Sequence, residues 1–264
     1  MAGHDLALRV RPLPRLFPVL AAALLLAPVA CTERTPPLRV LAAASLTDVV
    51  EALAPHFPGA RVEASFGASS ALARQIRDGA PGDVFLSASP EWIESLREAD
   101  ALAGAPVVLA RNRLVCVAGE QGSPAAAGVT DPGSLLSHLG GDGRAAIADR
   151  GVPAGEYARA SLEALGLLDA FEPRLVGLGD VRAVLRAVES GELPAGFVYA
   201  TDARTADVTV LFSLDPATHP PIEYQAAVLR GAAHPAEARA FLEFLHGDEA
   251  RDALSAAGFE IPGP

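Results

Sequence analysis

The sequence lacks several features that mark common functional classes. It has only two cysteines, too few for a disulfide framework. Its six histidines are scattered without the H-x3–5-H spacing, so a Cys/His zinc site is not expected. Basic residues are outnumbered: 21 Lys plus Arg against 32 Asp plus Glu give a formal charge of −11. That balance counts against nucleic acid as a partner, because a phosphate backbone needs a basic face.

Motifs of familiar catalytic centres are also missing. The chain has no G-x-S-x-G elbow and no G-x-x-x-x-G-K-[ST] phosphate loop. A nucleophile at Ser45 or Ser69 would need a base within hydrogen-bond reach, and no histidine follows a strand. A serine-nucleophile hydrolase is therefore a remote alternative, and we expect a protein that is not an enzyme.

The first 31 residues have the pattern of an export signal. Arginines precede a short apolar run, residues 16–30, which contains two prolines and is short for a membrane span. Cys31 follows this run and resembles the acylated cysteine of a bacterial lipoprotein. We therefore expect residues 1–31 to be a lipoprotein signal, Cys31 to be lipidated, and the protein to be exported to the periplasm or cell envelope with a membrane anchor. Cys116 lies in a probable core strand, where a small apolar side chain is its simplest role.

The rest of the chain alternates β-type runs with helical patterns. With 264 residues, half of them apolar, it has material for one or two domains. The sequence predicts strands at 39–43, 61–65, 83–87, 114–118, 144–148, 175–176, 196–199 and 222–229. It predicts helices at 47–54, 69–78, 90–98, 154–165, 181–190, 235–245 and 248–256. Such alternation predicts an α/β fold with mostly parallel sheets flanked by helices.

Two seams divide the predicted fold into lobes. They lie near Arg113 and near Pro220, each beside a long β-type run. Two crossings would make one lobe discontinuous, with residues 38–112 plus 224–264 in lobe 1 and residues 113–223 in lobe 2.

Three strand-to-helix junctions are rich in small residues, at 42–48, 65–75 and 151–157. In open α/β sheets, ligands bind outside the carboxyl ends of strands, where such junctions cluster. Helix N-termini carry free N–H groups and a partial positive charge, so they suit an anion. A serine before a helix can also be a simple N-cap. Tyr199 ends an apolar strand, where its hydroxyl can either face a ligand or be satisfied in the core.

Six segments, taken in order and spacing, resemble the molybdate-binding proteins of bacterial ABC transporters over nearly all of the chain after the signal. They are AAASLT (42–47), SFGASSALARQ (65–75), GAPGDVFLSA (79–88), VPAGEYA (152–158), GDVR (179–182) and GFVY (196–199).

The resemblance implies a two-lobed type II periplasmic-binding-protein fold with the ligand cleft between the lobes. It assigns the oxyanion to the hydroxyls of Ser45, Ser69 and Tyr199 and to the backbone N–H groups of Ala154 and Val181. Molybdenum would be bound only as the oxyanion, with no other metal and no cofactor. Two arginines near these segments, Arg74 and Arg182, are expected not to touch the ligand.

The implied function is that of a monomeric extracytoplasmic receptor that captures molybdate, and tungstate with it, and delivers it to an ABC permease. The alternative is a receptor for another tetrahedral oxyanion such as sulfate or phosphate. Phosphate carries a proton near neutral pH, so its site would want a carboxylate acceptor, whereas a fully deprotonated oxyanion needs donors only. Asp180, beside Val181, is the one residue that could blur this distinction.

Overall fold

The computed structural model describes residues 36–119 and 128–263, which all fall in one compact unit. The expected signal and Cys31 lie outside the described residues. The strands are β1 Leu38–Ala43, β2 Val62–Gly67, β3 Val84–Ser87, β4 Val107–Asn112, β5 Leu114–Gly119, β6 Ala145–Ala148, β7 Leu175–Leu178, β8 Gly196–Tyr199, β9 Val208–Ser213 and β10 Ile222–Val228. The helices are α1 Thr47–Leu53, α2 Ser69–Arg77, α3 Pro90–Glu98, α4 Pro132–Leu139, α5 Pro153–Ala164, α6 Leu168–Phe171, α7 Val181–Glu189, α8 Pro235–His246 and α9 Asp248–Ala257.

These strands form two five-stranded sheets. The first has the order β2-β1-β3-β10-β4 and the second the order β7-β6-β8-β5-β9. The chain crosses between the sheets twice: once at Arg113, between β4 and β5, and once through residues 214–221, between β9 and β10. The first sheet therefore takes strands from both the beginning and the end of the described chain.

The sheets are mostly parallel, as expected, because four of the five strands in each sheet run in one direction and a single strand runs against them. In the first sheet β1 pairs parallel with β2 and β3, but β10 pairs antiparallel with β3 and β4. The second sheet repeats this, with β6 parallel to its neighbours and β5 antiparallel to its own. A crossover helix imposes parallel pairing, and β5 and β10 enter from the other sheet without one.

The central strands are buried along their length. Strands β3, β5, β6 and β8 have no exposed position, and Cys116 within β5 is fully buried. Burial raises the pKa of the Cys116 thiol, which makes it an inert core residue. Helices cover these strands, so their residues read as continuous apolar runs.

Two strands were not predicted, β4 and β9, and both are edge strands of their sheets. Each has exposed positions, Arg111 in β4 and Thr209, Val210 and Ser213 in β9, so neither has the continuously buried pattern of the central strands. Among the described residues, no helix is both long and apolar enough to cross a bilayer.

Candidate functional site

Five chain segments meet at the edge where the parallel strands end. Strand β1 leads into a 3-10 turn, Ala44–Leu46, and β2 leads into α2. In the second sheet β6 leads into α5, β7 leads into α7, and β8 ends at Tyr199. The carboxyl ends of parallel strands are where open α/β sheets bind ligands.

A small cavity lies at this meeting point. Its lining includes all five residues expected to bind the oxyanion: Ser45, Ser69, Ala154, Val181 and Tyr199. The remaining lining residues are Ala43, Ala44, Gly67, Ala68, Ala88, Val152, Pro153 and Asp180. Most of these are small, which lets backbone groups approach whatever occupies the cavity. The structure thus brings together residues from both sheets that are up to 154 positions apart in sequence.

The hydroxyls of Ser45 and Ser69 each also contact one other group of the protein. Ser69 Oγ accepts a hydrogen bond from the N–H of Ala88 at 3.0 Å, so its own proton is free for another acceptor. Ser45 Oγ lies 2.8 Å from Tyr224 Oη. The neighbouring Ser70 is also buried but does not line the cavity, so Ser69 and not Ser70 is the candidate ligand of these two adjacent serines.

Tyr199 lines the cavity and carries a buried hydroxyl. The residue is 1% exposed, and its Oη has no hydrogen-bond partner among the described residues. Burial raises the pKa of Tyr199 well above its ordinary value, with Tyr224 and Tyr157 adding to the shift. The phenol therefore keeps its proton at neutral pH. A buried hydroxyl without a partner costs free energy, so a ligand that accepts its hydrogen bond would remove that cost.

Backbone donors come from helix starts. The first N–H groups of a helix have no carbonyl partner inside the helix. The N-cap residues of α2 and α5 are Ala68 and Val152, which cannot cap with a side chain. By contrast α3 and α4 are capped by Ser89 and Asp131. Helices α2 and α5 thus leave their first N–H groups available, whereas α7 has a side-chain cap on its Ala183 N–H.

Asp180 is the N-cap of α7. Its Oδ1 accepts a hydrogen bond from the N–H of Ala183 at 2.8 Å. Among the described residues that line the cavity, it is the only one with a charged side chain, and its engagement with α7 gives it an ordinary structural role.

The loop between β6 and α5, which leads to Ala154, is held by contacts with α5. Gly151 adopts a left-handed φ of +79°, and its N–H donates to Glu156 Oε1 at 2.6 Å. The buried Arg159 donates from Nη1 to the carbonyl of Ala148 at 3.0 Å. These contacts fix the turn between β6 and α5, and with it the position of the Ala154 N–H.

Neither of the two nearby arginines lines the cavity. Arg74 lies over the ring of Trp92, with 5.9 Å from its guanidinium carbon to the ring centroid. Arg182 Nη2 lies 2.5 Å from Asp48 Oδ2, and its Nε lies 2.7 Å from Asp202 Oδ1. Burial raises the pKa of Asp202 to about 7, although the Arg182 charge opposes that shift. The Arg182–Asp48 pair joins α7 of the second sheet to α1 of the first.

The cavity is therefore a cage lined by neutral hydrogen-bond donors from both sheets, with the Asp180 carboxylate beside them. In the described part of the chain, no group of three or more His, Cys, Asp or Glu side chains is placed to hold a metal ion. The model of the bacterial extracellular solute-binding proteins matches residues 38–260. The chain belongs to this family.

Two relatives of this chain have names that describe solute binding. The molybdate-binding protein ModA of Escherichia coli strain K12 is 37% identical over 228 residues, covering 84% of this chain and 88% of its own. YvgL of Bacillus subtilis strain 168, whose name describes an ABC transporter substrate-binding lipoprotein, is 32% identical over 235 residues. That match covers 86% of this chain and 88% of YvgL.

A solved relative has the same fold. The periplasmic molybdate-binding protein of Azotobacter vinelandii superposes with a TM-score of 0.76 at 27% identity, covering 86% of this chain and all of that one. The solute-binding protein described here thus has a two-lobed α/β fold, is exported, and is a binding protein rather than an enzyme.

Proposed function

We propose that this solute-binding protein captures molybdate in the cavity between its two sheets. Ser45, Ser69 and Tyr199 would each donate one side-chain hydrogen bond, and the N–H groups of Ala154 and Val181 would complete the cage. The observation that carries the proposal is the buried Tyr199 hydroxyl, which lines the cavity without a partner. The name of the Escherichia coli relative supports the choice of ion.

The chemistry of the cage favours a fully deprotonated tetrahedral dianion. Such an ion loses strong hydration on entry, so its oxygens must regain hydrogen bonds. Hydroxyls and helix N-termini supply these bonds without a buried cation. A protonated oxyanion needs an acceptor as well, and the one carboxylate in the lining, Asp180, is engaged in capping α7. Tungstate has the same charge and nearly the same size as molybdate, so we expect the cage to take it too. Either ion would be bound as the transported solute, not as a cofactor.

Calorimetric titration of the full-length protein, purified in mild detergent and dialysed free of oxyanions, tests the proposal. We expect molybdate and tungstate to bind with similar affinity. Sulfate is smaller and phosphate carries a proton, so we expect both to bind at least about a hundredfold more weakly, a difference of about 2.7 kcal/mol. Sulfate or phosphate binding as tightly as molybdate would replace this assignment with the corresponding oxyanion.

Small-angle scattering with and without molybdate can follow closure of the cleft. We propose that residues 38–112 plus 224–264 form one lobe and residues 113–223 the other, because the two sheets divide close to these lines, with β10 of the first sheet beginning two residues earlier, at Ile222. Each lobe holds part of the cage, so the ligand favours the closed form through its differential affinity. Small-angle scattering should show a smaller radius of gyration after molybdate is added, at the mass of a monomer. An unchanged radius would mean a rigid site.

We further propose that the protein is held at the membrane through an acylated Cys31 and delivers its ligand to an ABC permease. The lipoprotein name of YvgL and the sequence around Cys31 support the anchor. One acyl chain binds membranes only marginally, so a stable anchor needs more than one. Mass spectrometry of the exported protein should find a mature N-terminus at Cys31 with acyl groups attached. A mature N-terminus at another residue without lipid would contradict the anchor.

A further inference from the structure

Behind Ser45, on the side away from the cavity, lies a buried chain of polar groups. Tyr224 on β10 is fully buried, and its Oη lies 2.8 Å from Ser45 Oγ. Asn112, at the end of β4, places Nδ2 3.4 Å from the same Tyr224 oxygen and 2.8 Å from Thr201 Oγ1. None of Tyr224, Asn112 and Thr201 lines the cavity.

The hydrogen bonds of this chain have one consistent direction. Asn112 Oδ1 accepts from the N–H of Arg113 at 2.8 Å, which fixes the amide with its NH2 group toward Tyr224. Because Nδ2 can only donate, Tyr224 Oη is an acceptor toward Asn112. The phenol proton is then free to point at Ser45. Burial raises the pKa of Tyr224 above its ordinary value, so that proton is present at neutral pH.

We infer that Tyr224 is a positioning residue that commits the Ser45 hydroxyl to donate, not accept, toward the bound oxyanion, and so helps the site to select deprotonated oxyanions. With Tyr224 donating to one lone pair of Ser45 Oγ, the serine proton cannot be given to Tyr224, and the described residues offer Ser45 no other hydrogen-bond partner, so its proton turns to the cavity. Ser69 is arranged likewise, but by the backbone N–H of Ala88. This inference rests on the proposed function, since it concerns how the same cage treats its ligand.

The role has a consequence for selectivity. A serine hydroxyl whose proton has another acceptor can rotate and accept a hydrogen bond from a ligand such as hydrogen phosphate. With Tyr224 as a donor, Ser45 has no such acceptor, so accepting a hydrogen bond from a protonated oxyanion would leave the serine proton unsatisfied in a buried site, which is costly. Removal of the Tyr224 hydroxyl should therefore weaken molybdate binding and, at the same time, narrow the preference for molybdate over phosphate.

A double-mutant cycle measured by calorimetric titration of the full-length protein tests the inference. We expect Tyr224→Phe, which keeps the ring and its packing, to weaken molybdate binding roughly fivefold to tenfold, and Ser45→Ala roughly ten- to a hundredfold. Because Tyr224 acts through Ser45, the double variant should match Ser45→Ala within about twofold. The control cycle pairs Tyr224→Phe with Ser69→Ala, which Tyr224 does not contact, and there the two losses should multiply.

Three results would separate the possible failures. If the parent protein does not bind molybdate, the proposed function fails before the cycle begins. If the parent binds but the losses multiply in both cycles, or the molybdate-to-phosphate ratio of Tyr224→Phe equals that of the parent, then Tyr224 has only a structural role. Should Tyr224→Phe fail to fold, neutron diffraction of the parent bound to molybdate decides the matter. A deuterium on Tyr224 Oη that points away from Ser45 would overturn the inference.

Discussion

Replacement of Tyr199 by Phe is expected to weaken molybdate binding ten- to a hundredfold while leaving the ligand-free protein as stable as its parent. The change removes only the hydroxyl, which is the sole polar group of a side chain otherwise 1% exposed in the core. A hydrogen bond to a charged partner is worth roughly 1.5–3 kcal/mol, which sets the expected loss. Because the hydroxyl has no hydrogen-bond partner among the described residues, its removal takes no hydrogen bond from the ligand-free protein.

Thermal unfolding with and without molybdate separates the two effects. Binding stabilises the folded state in proportion to the logarithm of ligand concentration over Kd, so the variant should lose about 1.4–2.7 kcal/mol of ligand-induced stabilisation. Tyr157→Phe is the matched control, because its buried phenol lies outside the cavity lining and contacts the carbonyl of Pro221 at 3.5 Å. If Tyr199→Phe binds molybdate as tightly as the control and closes to the same extent by scattering, Tyr199 is only a core residue.

The candidate site could be found from sequence because its parts are local. Ser45 and Ser69 each follow a strand closely and stand at the start of a helical segment. The apolar periods of a strand and of a helix can both be recognised in the sequence. Ala154 and Val181 lie at helix starts in the same way. Parallel strands then bring such junctions to one edge without further information. That the five residues share one site was implied only by the family resemblance, because the local pattern does not show how the two sheets face each other.

The partners behind the site could not be found in this way. Tyr224 is 179 residues from Ser45, and Asp48 is 134 residues from Arg182. Nothing in the local pattern of β10 distinguishes Tyr224 from any other tyrosine on a buried strand. The same limit explains the sheet pairing: strand runs near 114 and 222 were predicted, but their antiparallel direction follows from the two crossings between sheets.

Alanine at Gly155 is expected to damage both the fold and the site. A Cβ at this position would lie 2.1 Å from the carbonyl oxygen of Ala148 and 2.8 Å from that of Asp149. Both are backbone atoms, so no side chain can turn aside, and the start of α5 must move away from β6. Overpacking of this kind costs about 3 kcal/mol at its upper range. We expect the unfolding temperature to fall by about 6–12 °C.

The same shift would displace the N–H of the preceding residue, Ala154, from the cage. Molybdate binding at a temperature where the variant is folded should therefore weaken by at least about tenfold, the worth of one hydrogen bond to a charged partner. Gly141→Ala is the matched control: its Cβ would meet nothing within 4 Å, so stability should change by less than about 1 kcal/mol and affinity not at all. If Gly155→Ala lowers the unfolding temperature but leaves the molybdate Kd unchanged, the Ala154 N–H does not contact the ion. If the unfolding temperature and the molybdate Kd of Gly155→Ala both equal those of Gly141→Ala, the close approach of α5 to β6 does not position the start of α5.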